Sequence, residues 1–348
     1  MKKLIDELKD SNNLSPDKLL LLLNNMDNEN KQYLHTKADE TRLHIYGDKV
    51  YMRGLIEFTN FCKNNCKYCG IRKGNRQAQR YRLSKEEIIG CCAEGYRLGY
   101  RTFVLQGGED NFYTDERIMD IVSTIKSSFD DVAVTLSIGE KTYETYKKYF
   151  DAGADRYLLR HETNSRELYD RLHPNMSYDN RIRCLYDLKD IGYQIGAGFM
   201  VGLPGQTNED FVKDLVFLKE LQPHMVGIGP FMPQSDTPLA NEKAGTADKT
   251  CILLSLIRLI LPEVLLPATT ALGSIDPKGR EQGLKAGANV VMPNLSPIGV
   301  REKYSLYDGK ICTGDEAAQC RHCIENRIKS AGYQVDMSKG DHISLQNN

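Results

Sequence analysis

Short apolar, β-branched runs alternate along most of the chain with longer segments of helical periodicity. We identify eight candidate strands: Val50–Phe58, Thr102–Gln106, Val132–Ser137, Asp155–Arg160, Gln194–Val201, Met225–Phe231, Leu265–Thr270 and Asn289–Pro293. The intervening helical patterns include Ser84–Leu98, Asp115–Ser127, Lys141–Ala152, Asn208–Leu221 and Asp248–Leu261. Such alternation predicts a parallel sheet with helices outside it, and eight units indicate a closed (β/α)8 barrel of the TIM type.

The two ends of the chain lie outside this alternation. Residues 1–45 read as an N-terminal helical extension, in which Ser15, Pro16 and Asp17 form a helix start of cap, proline and acid. The barrel is assigned to residues 46–305 and a C-terminal segment to residues 306–348. The polar sequence after about residue 330 is expected to be loosely ordered.

Composition narrows the class of protein without identifying it. Of 348 residues, 41% are apolar and 27% are charged, which allows a large core, and the net charge of -1 gives no basic excess for nucleic acid. The N-terminus has no apolar run after its lysines, and the apolar stretch 251–271 is interrupted by Arg258, Pro262 and Glu263. We therefore expect a cytoplasmic protein, and without a coiled-coil pattern we expect a monomer.

Polar or glycine-rich sequence follows most of the candidate strands. The strand ends that carry it are Glu57-Phe58-Thr59, Gln106-Gly107-Gly108-Glu109-Asp110, Ser137-Ile138-Gly139-Glu140, Arg160-His161-Glu162-Thr163, Thr269-Thr270 and Pro293-Asn294. Turns are generally polar, so one such end indicates little. In a parallel barrel all of them meet at one face, and six together predict a shared binding site there.

Six of the ten cysteines fall in two tight groups, and the first has a spacing with chemical meaning. Cys62, Cys66 and Cys69 form a C-x3-C-x2-C loop after the first candidate strand. Thiolates select iron–sulfur clusters or zinc. Three of them can hold three irons of a cubane and leave the fourth open, whereas a structural zinc site needs a fourth ligand from elsewhere in the chain.

This loop, with the aromatic Tyr68 just before its last cysteine, resembles the motif of the radical S-adenosylmethionine (SAM) superfamily. The resemblance implies a 4Fe-4S cluster on the three cysteines, whose open iron binds the amino and carboxylate groups of SAM. An electron from the cluster then cleaves SAM to methionine and a 5'-deoxyadenosyl radical. The cofactor contacts implied by this resemblance are Tyr68, Gln106, Gly107, Gly108, Glu109, Ser137, Arg160, Glu162, Arg181, Met200, Met292 and Tyr304.

Two of these contacts have a chemical argument of their own. The Gly107-Gly108-Glu109 segment resembles the family's GGE motif, which meets the amino group of SAM. Arg181 suits the methionyl carboxylate through its planar guanidinium, although Asp179-Asn180-Arg181 also reads as the start of a surface helix.

A more detailed resemblance, from about residue 40 to 330, is to the HydE family of FeFe-hydrogenase maturases, grouped with biotin synthase and methylornithine synthase. The segments that carry it are Ile56-Glu57-Phe58, Tyr81-Arg82, Arg156–Thr163, Met200–Thr207, Met225–Phe231, Asp236–Ala240, Pro267–Ala271 and Ala288–Asn294. The resemblance implies a role in making the 2Fe subcluster of the hydrogenase. It implies a cysteine-bound iron carbonyl cyanide substrate from HydG, delivery toward HydF, and an electron donor such as ferredoxin or flavodoxin.

Candidate substrate contacts are side chains that donate hydrogen bonds to anions. They are Thr135, Arg156, Thr269 and Thr270, with Met292 and Tyr304 helping to line the cavity.

The second cysteine group is Cys312, Cys320 and Cys323, in the C-terminal segment. Three thiolates there suit an auxiliary 2Fe-2S or 4Fe-4S cluster, with His322 as an alternative ligand, and members of the resembled family often carry such a triplet in a peripheral position. The alternative is a set of surface thiols without metal.

Three other functions remain open at the level of sequence. Biotin synthase has a second cluster inside its barrel, but here Cys91, Cys92, Cys184 and Cys251 fall in helical patterns. Methylornithine synthase is a second alternative, and a non-enzymatic iron–sulfur scaffold or electron-transfer protein is a third.

Overall fold

A computed structural model describes residues 1–314 and 316–346. Its strands are β1 Lys49–Met52, β2 Gly54–Thr59, β3 Thr102–Gly107, β4 Ala133–Ser137, β5 Arg156–Leu158, β6 Gln194–Ala197, β7 Met200–Val201, β8 Met225–Val226, β9 Gly229–Pro230, β10 Val290–Val291 and β11 Gln334–Asp336. Its helices are α1 Lys2–Ser11, α2 Pro16–Asn24, α3 Asn28–Tyr46, α4 Lys85–Arg97, α5 Asp115–Ser128, α6 Tyr143–Asp151, α7 Arg166–Leu172, α8 Tyr178–Ile191, α9 Asn208–Leu221, α10 Ala247–Ile260, α11 Thr270–Ile275, α12 Gly279–Lys285, α13 Ile298–Arg301, α14 Ala317–Ser330 and α15 Ile343–Gln346.

The strands close into the predicted parallel barrel. Six of them form one parallel sheet in the order β2-β3-β4-β5-β6-β8. Single parallel bridges from Met225 to Leu265 and from Pro267 to Val290 extend this sheet, and a bridge from Leu55 to Asn294 returns it to β2. The seventh predicted strand is therefore present only as bridges. The bridges to the strands on both sides hold this segment in place, so the barrel is closed and has no open edge.

Three of the predicted strands are each present as two shorter strands, namely β1 and β2, β6 and β7, and β8 and β9. β6 and β7 are separated at Gly198, which has a φ of 150°. A Cβ atom there would lie 2.0 Å from the carbonyl oxygen of Gly227. Only glycine permits so close an approach of the two chain segments.

The helix predictions are confirmed to within two residues, since helix termini carry local signals. Ser84 accepts a hydrogen bond from the Glu87 backbone, and the Glu87 side chain caps Ser84 in return. α9 spans the predicted residues, with the same reciprocal capping between Thr207 and Asp210. The N-terminal helices pack against the barrel wall, where Asn12 Nδ2 donates to the Leu259 carbonyl at 2.9 Å.

The expectation of a loosely ordered end is wrong for the described part of the tail. β11 pairs with β1 in parallel register. The following segment crosses the end of the barrel where the strands begin, and the first residues of β3, β5 and β6 all bind it. Their side chains are Thr102, Arg156 and Gln194, which donate to Lys339 or Asp341 at 2.6 to 2.8 Å. We call residues 337–343 the barrel plug.

No helix in residues 1–314 and 316–346 is long and apolar enough to cross a membrane.

Candidate active site

The loop after β2 brings the first three cysteines together at the mouth of the barrel. Cys62, Cys66 and Cys69 are each partly buried. Backbone hydrogen bonds tie this loop to neighbouring loops, since Lys63 N donates to the Glu109 carbonyl at 2.9 Å and Gly70 N donates to the Leu306 carbonyl at 3.0 Å. The loop is therefore held by the loop after β3 and by the segment that follows α13.

The electrostatics of these thiols suit a positively charged partner. Burial and the neighbouring Cys62 raise the pKa of the Cys66 thiol to about 12. Burial likewise raises the pKa of Cys69, with further contributions from Cys66 and Cys62. Across the described chain no three His, Cys, Asp or Glu side chains converge tightly enough for a single metal ion. The influence of these thiols on one another's pKa shows that they lie close together, and the cluster that they are predicted to hold stays a prediction.

Residues 70–80 follow the cysteine loop and form an irregular segment that side-chain hydrogen bonds hold in place. We call this segment the 70–80 excursion. The Arg80 guanidinium donates to the carbonyl oxygens of Ile71 at 2.8 Å, Arg72 at 2.6 Å and Asn75 at 3.1 Å. Asn75 Nδ2 donates to the Gly70 carbonyl at 2.7 Å. Side chains thus provide the hydrogen bonds that the irregular backbone of this excursion requires.

The glycines after β3 allow the chain to approach the cysteine loop closely. A Cβ atom on Gly108 would lie 2.2 Å from the Phe61 carbonyl oxygen and 2.7 Å from Cys62 Cβ. Glu109 follows with its side chain buried, and its Oε1 accepts from Glu140 N at 3.1 Å. The predicted Gly-Gly-Glu segment therefore lies against the first cysteine, although its contact with SAM stays a prediction.

Tyr68 is fixed by a histidine that the sequence analysis did not single out. His173 Nδ1 lies 2.8 Å from the Tyr169 carbonyl and therefore carries the hydrogen, which leaves Nε2 to accept from the Tyr68 hydroxyl at 2.9 Å. Burial, followed by the charge of Arg181, lowers the pKa of His173 to about 3, so the ring is neutral near pH 7. The local signal for His173 is only its place at the end of α7.

The predicted carboxylate-binding group, Arg181, is buried and faces the site, so it is not a surface helix residue. Its Nε lies 2.8 Å from Glu140 Oε1, and Nη1 donates to the Arg160 carbonyl at 3.4 Å. Its charge is among the influences that lower the pKa of Cys66, after burial and Cys62 have raised it. Arg181 therefore adjoins the cysteine loop.

Arg160 and Glu162 lie near Arg181, and both have buried polar atoms without hydrogen-bond partners. Arg160 Nη2 and Glu162 Oε2 are 3.0 Å apart, within ion-pair distance. Both atoms are nevertheless buried without a hydrogen bond of acceptable geometry, as is Arg160 Nε. An unsatisfied buried polar group costs roughly 1–3 kcal/mol. These atoms fit a polar ligand such as SAM.

An interior cavity of about 160 Å³ lies among the ends of the barrel strands. It brings together predicted residues from four strand ends, namely Gln106, Arg160, Thr269, Thr270 and Met292. A larger cleft of about 900 Å³ between α3, α10 and α12 lies on the outer surface, and none of the predicted site residues lines it.

The other predicted cofactor and substrate contacts lie outside the lining of this cavity. Ser137 pairs in register with Gln106 at the end of β4, and Tyr304 accepts a hydrogen bond from Gln106 Nε2 at 3.3 Å. Thr135 lies two residues deeper on β4, with a buried hydroxyl that has no hydrogen-bond partner. Met200 is buried in an apolar cluster that Tyr68 contacts.

Arg156 is a correction to the predicted substrate contacts. It is the first residue of β5 and therefore lies at the opposite end of the barrel from the cysteine loop. It is fully buried, and Nη2 donates to Asp341 Oδ1 at 2.6 Å and to the Lys339 carbonyl at 2.8 Å. The side chain binds the barrel plug. The sequence did not show which end of the candidate strand Asp155–Arg160 faces the cysteine loop. Arg156 lies at the end that faces away from it.

The sequence analysis also missed a buried ion pair in the cavity wall. Lys310 Nζ donates to Glu57 Oε1 at 2.6 Å and to Oε2 at 2.8 Å, and Asn294 Nδ2 donates to the same carboxylate at 2.8 Å. Burial raises the pKa of Glu57 despite the opposing effect of Lys310. The sequence shows Glu57 as a polar residue near the end of a candidate strand. Nothing in the sequence indicates that Lys310 is its partner.

The second cysteine triplet is less peripheral in space than expected. Cys312 and Cys320 border the interior cavity, and Arg280 donates to Cys312 Sγ at 3.6 Å. Cys323 is exposed on the same helix as Cys320. His322, the alternative ligand, lies 3.5 Å from Glu325. A cluster at this triplet stays a prediction.

Similarity to known proteins agrees with the family resemblance seen in the sequence. The model of the radical SAM superfamily matches residues 56–218. The chain is 50% identical over 295 residues to the [FeFe] hydrogenase maturase subunit HydE of Thermotoga maritima, which covers 85% of this chain and 84% of that protein. It is 33% identical to a 3-methylornithine synthase of Methanosarcina acetivorans, over 85% of this chain and 83% of that protein. Among solved structures it resembles methylornithine synthase (PylB) with a TM-score of 0.86 and 28% identity, covering 96% of this chain and 97% of that one.

Proposed function

The chain belongs to the radical SAM superfamily and is a homologue of the [FeFe] hydrogenase maturase subunit HydE, and on this premise we propose that it catalyses a step in making the 2Fe subcluster of the hydrogenase. The family implies a 4Fe-4S cluster and SAM as cofactors. The bound cluster supplies the electron that cleaves SAM to methionine and a 5'-deoxyadenosyl radical. An enzymatic role therefore replaces the scaffold or electron-transfer alternative.

Within this proposal the residues around the cysteine loop hold and orient the cofactors. Cys62, Cys66 and Cys69 ligate the cluster, and their burial keeps water from it. Arg181, adjoining Cys66 and paired with Glu140, binds the methionyl carboxylate through its planar guanidinium. Glu162, with an unsatisfied buried oxygen, accepts from the ribose hydroxyls.

The substrate is proposed to bind in the interior cavity as a small cysteine-bound iron carbonyl cyanide complex. The observation that carries this proposal is the set of donors that line the cavity, formed by Arg160, Thr269 and Thr270, and Met292 lines it as well. Anionic cyanide and carboxylate groups accept hydrogen bonds from such donors. In this scheme HydG provides the substrate, HydF receives the product, and an electron donor such as ferredoxin or flavodoxin reduces the cluster. The protein acts as a cytoplasmic monomer.

An auxiliary iron–sulfur cluster on Cys312, Cys320 and Cys323 is part of the proposal. Cys312 and Cys320 support it because they are adjacent: a hydrogen bond between the two thiols, in which Cys320 donates, is the main cause of the raised pKa of Cys320. Cys323 follows Cys320 by three residues on α14, a spacing that makes the two side chains neighbours on the helix surface.

The test is to incubate the reduced, reconstituted protein with SAM and the product of HydG. We expect 5'-deoxyadenosyl products and a new iron-based spectroscopic species, and we expect neither from the Cys62→Ala, Cys66→Ala or Cys69→Ala variants. SAM cleavage in any of these variants would contradict the cluster assignment. Formation of 3-methylornithine or biotin in parallel assays would instead favour those synthases, to which the chain is also similar.

A further inference from the structure

The segment around the first cysteine triplet has a charge that the rest of the protein lacks. Residues 59–84 contain seven basic residues and no acidic one, within a chain whose net charge is -1. Such an excess over 26 consecutive residues creates a local positive potential, unless other elements neutralise it.

Four of the seven are engaged inside the structure. Arg80 fastens the 70–80 excursion, and Arg82 forms an ion pair with Asp110 at 2.7 Å. Lys63 lies 3.1 Å from Glu109, and Arg72 donates to the Asn65 carbonyl at 3.3 Å. All four therefore have partners of their own, including Lys63, which is itself exposed.

The remaining three, Lys67, Lys73 and Arg76, form what we call the basic collar. Lys73 and Arg76 are exposed and Lys67 is half-buried. Within residues 1–314 and 316–346 their side chains make no ion pair or hydrogen bond that meets ordinary distance criteria. Their charges therefore face solvent without a counter-charge.

The backbone holds the collar beside the thiols. Lys67 directly follows Cys66. Lys73 N donates to the Asn64 carbonyl at 2.8 Å, and Gly74 N donates to Asn65 Oδ1 at 3.0 Å. The 70–80 excursion thus folds back onto the cysteine loop, and the Arg80 hydrogen bonds fix it there.

We propose that the basic collar is the docking surface for a small acidic one-electron carrier protein of the ferredoxin type. The inference rests on the proposed function, which needs one electron from a reduced carrier: the carrier is oxidised by one electron and the cluster is reduced by one. SAM and substrate occupy the barrel side of the loop, so the carrier must approach from outside, where the collar lies.

Acidic residues in a cleft next to the basic collar restrict the direction from which an acidic carrier approaches. A cleft of about 480 Å³ runs between Gly70 and Gln79 on one side and Asp236 and Glu302 on the other. Lys303 also lines this cleft and offsets one of the two acids, so the cleft carries one net negative charge, whereas the collar carries three positive charges and attracts an acidic carrier. Opposite potentials of this kind orient a partner and raise its association rate.

The test measures binding separately from catalysis. The collar triple variant, with all three residues changed to Glu, is compared with a control that reverses Lys3, Lys285 and Lys329, which are exposed on α1, α12 and α14. The probe is a purified, oxidised, acidic 2[4Fe-4S] ferredoxin, titrated calorimetrically against the reconstituted oxidised protein. At about 50 mM salt we expect at least a ~10-fold loss of affinity in the collar variant and little change in the control.

Two further measurements separate this inference from the proposed function and from misfolding. Dithionite replaces the ferredoxin, and a variant with only Lys73 and Arg76 changed to Glu, both outside the cysteine loop, should then form as much 5'-deoxyadenosine from SAM as the parent. A milder variant, with Lys73 and Arg76 changed to Gln, should lose part of the affinity if the Glu variant fails to fold. Unchanged ferredoxin binding in a folded collar variant, or an equal loss in the control, would overturn the docking surface. No SAM cleavage by the parent with dithionite would refute the proposed function instead.

Discussion

The barrel plug offers the sharpest test of how this fold is stabilised, through the substitution Asp341→Asn. Arg156 is fully buried, and Asp341 lies 2.6 Å from its Nη2 with a side chain that is 24% exposed. The amide keeps a hydrogen-bond acceptor for Arg156 and Gln194 but removes the negative charge. The substitution therefore isolates the charge from the shape of the contact.

The expected loss in the free energy of unfolding follows from how deeply Arg156 and Asp341 are buried. Leaving a buried charge without its partner costs about 3–5 kcal/mol. The partial exposure of Asp341 reduces this, because solvent screens the pair, so we expect a loss of about 2–3 kcal/mol in the free energy of unfolding. The matched control is Asp131→Asn, which removes the charge that faces Lys339 at 2.8 Å on the same segment, with exposures of 71% and 38%. That exposed pair should contribute only about 0–1 kcal/mol.

The same pair predicts a pH dependence. Burial raises the pKa of Asp341, but Arg156 and Gln194 act against it and leave the pKa below its ordinary value. A carboxyl whose pKa is lower in the folded state stabilises the protein above its unfolded pKa of about 3.9, and this contribution disappears as pH falls through the folded value. The difference between parent and Asp341→Asn should be equal at pH 7 and about pH 5, and smaller below about 3.9.

The assay is urea unfolding of the reconstituted proteins, followed by circular dichroism, with SAM cleavage measured in parallel. We expect Asp341→Asn to lower the unfolding midpoint and to cleave SAM at the parental rate under native conditions. A midpoint indistinguishable from that of Asp131→Asn would refute the argument about the buried charge. A well-folded variant with no SAM cleavage would show that this end of the barrel affects the chemistry after all.

Three further predictions concern the mouth of the barrel. Gly108→Ala should reduce both cluster content and SAM cleavage, because its Cβ would lie 2.2 Å from the Phe61 carbonyl oxygen; iron analysis of the reconstituted protein measures this, and parental iron content would contradict it. Arg181→Ala should weaken SAM binding by about 1–3 kcal/mol or more, in titrations of the cluster's electron paramagnetic resonance signal, whereas Arg166→Ala on the exposed surface should not. Cys320→Ala combined with Cys323→Ala should remove iron beyond the first four atoms per chain and leave SAM cleavage near the parental level; loss of cleavage in the folded variant would assign the second triplet a catalytic role.

The sequence by itself determined the features of this protein that depend on local pattern. Alternating strand and helix periodicity predicted the closed barrel, and capping residues such as Ser84 and Thr207 marked helix starts, because helix ends must satisfy their backbone groups locally. The C-x3-C-x2-C spacing predicted the cysteine loop for a similar reason, since its ligands lie within eight residues. The family resemblance added the expected SAM contacts, which stay a prediction and which pattern alone does not contain.

Tertiary structure decided what depends on residues far apart in the chain. Arg156 was read as a substrate contact, yet Asp341, 185 residues away, binds it at the opposite end of the barrel. The polar tail became a plug for the same reason: its hydrogen-bond partners are the first residues of three strands. Glu57 and Lys310 likewise meet across 253 residues. Local sequence carries the propensity of each element, but the partner of a buried charge is set by how the closed barrel brings distant segments together.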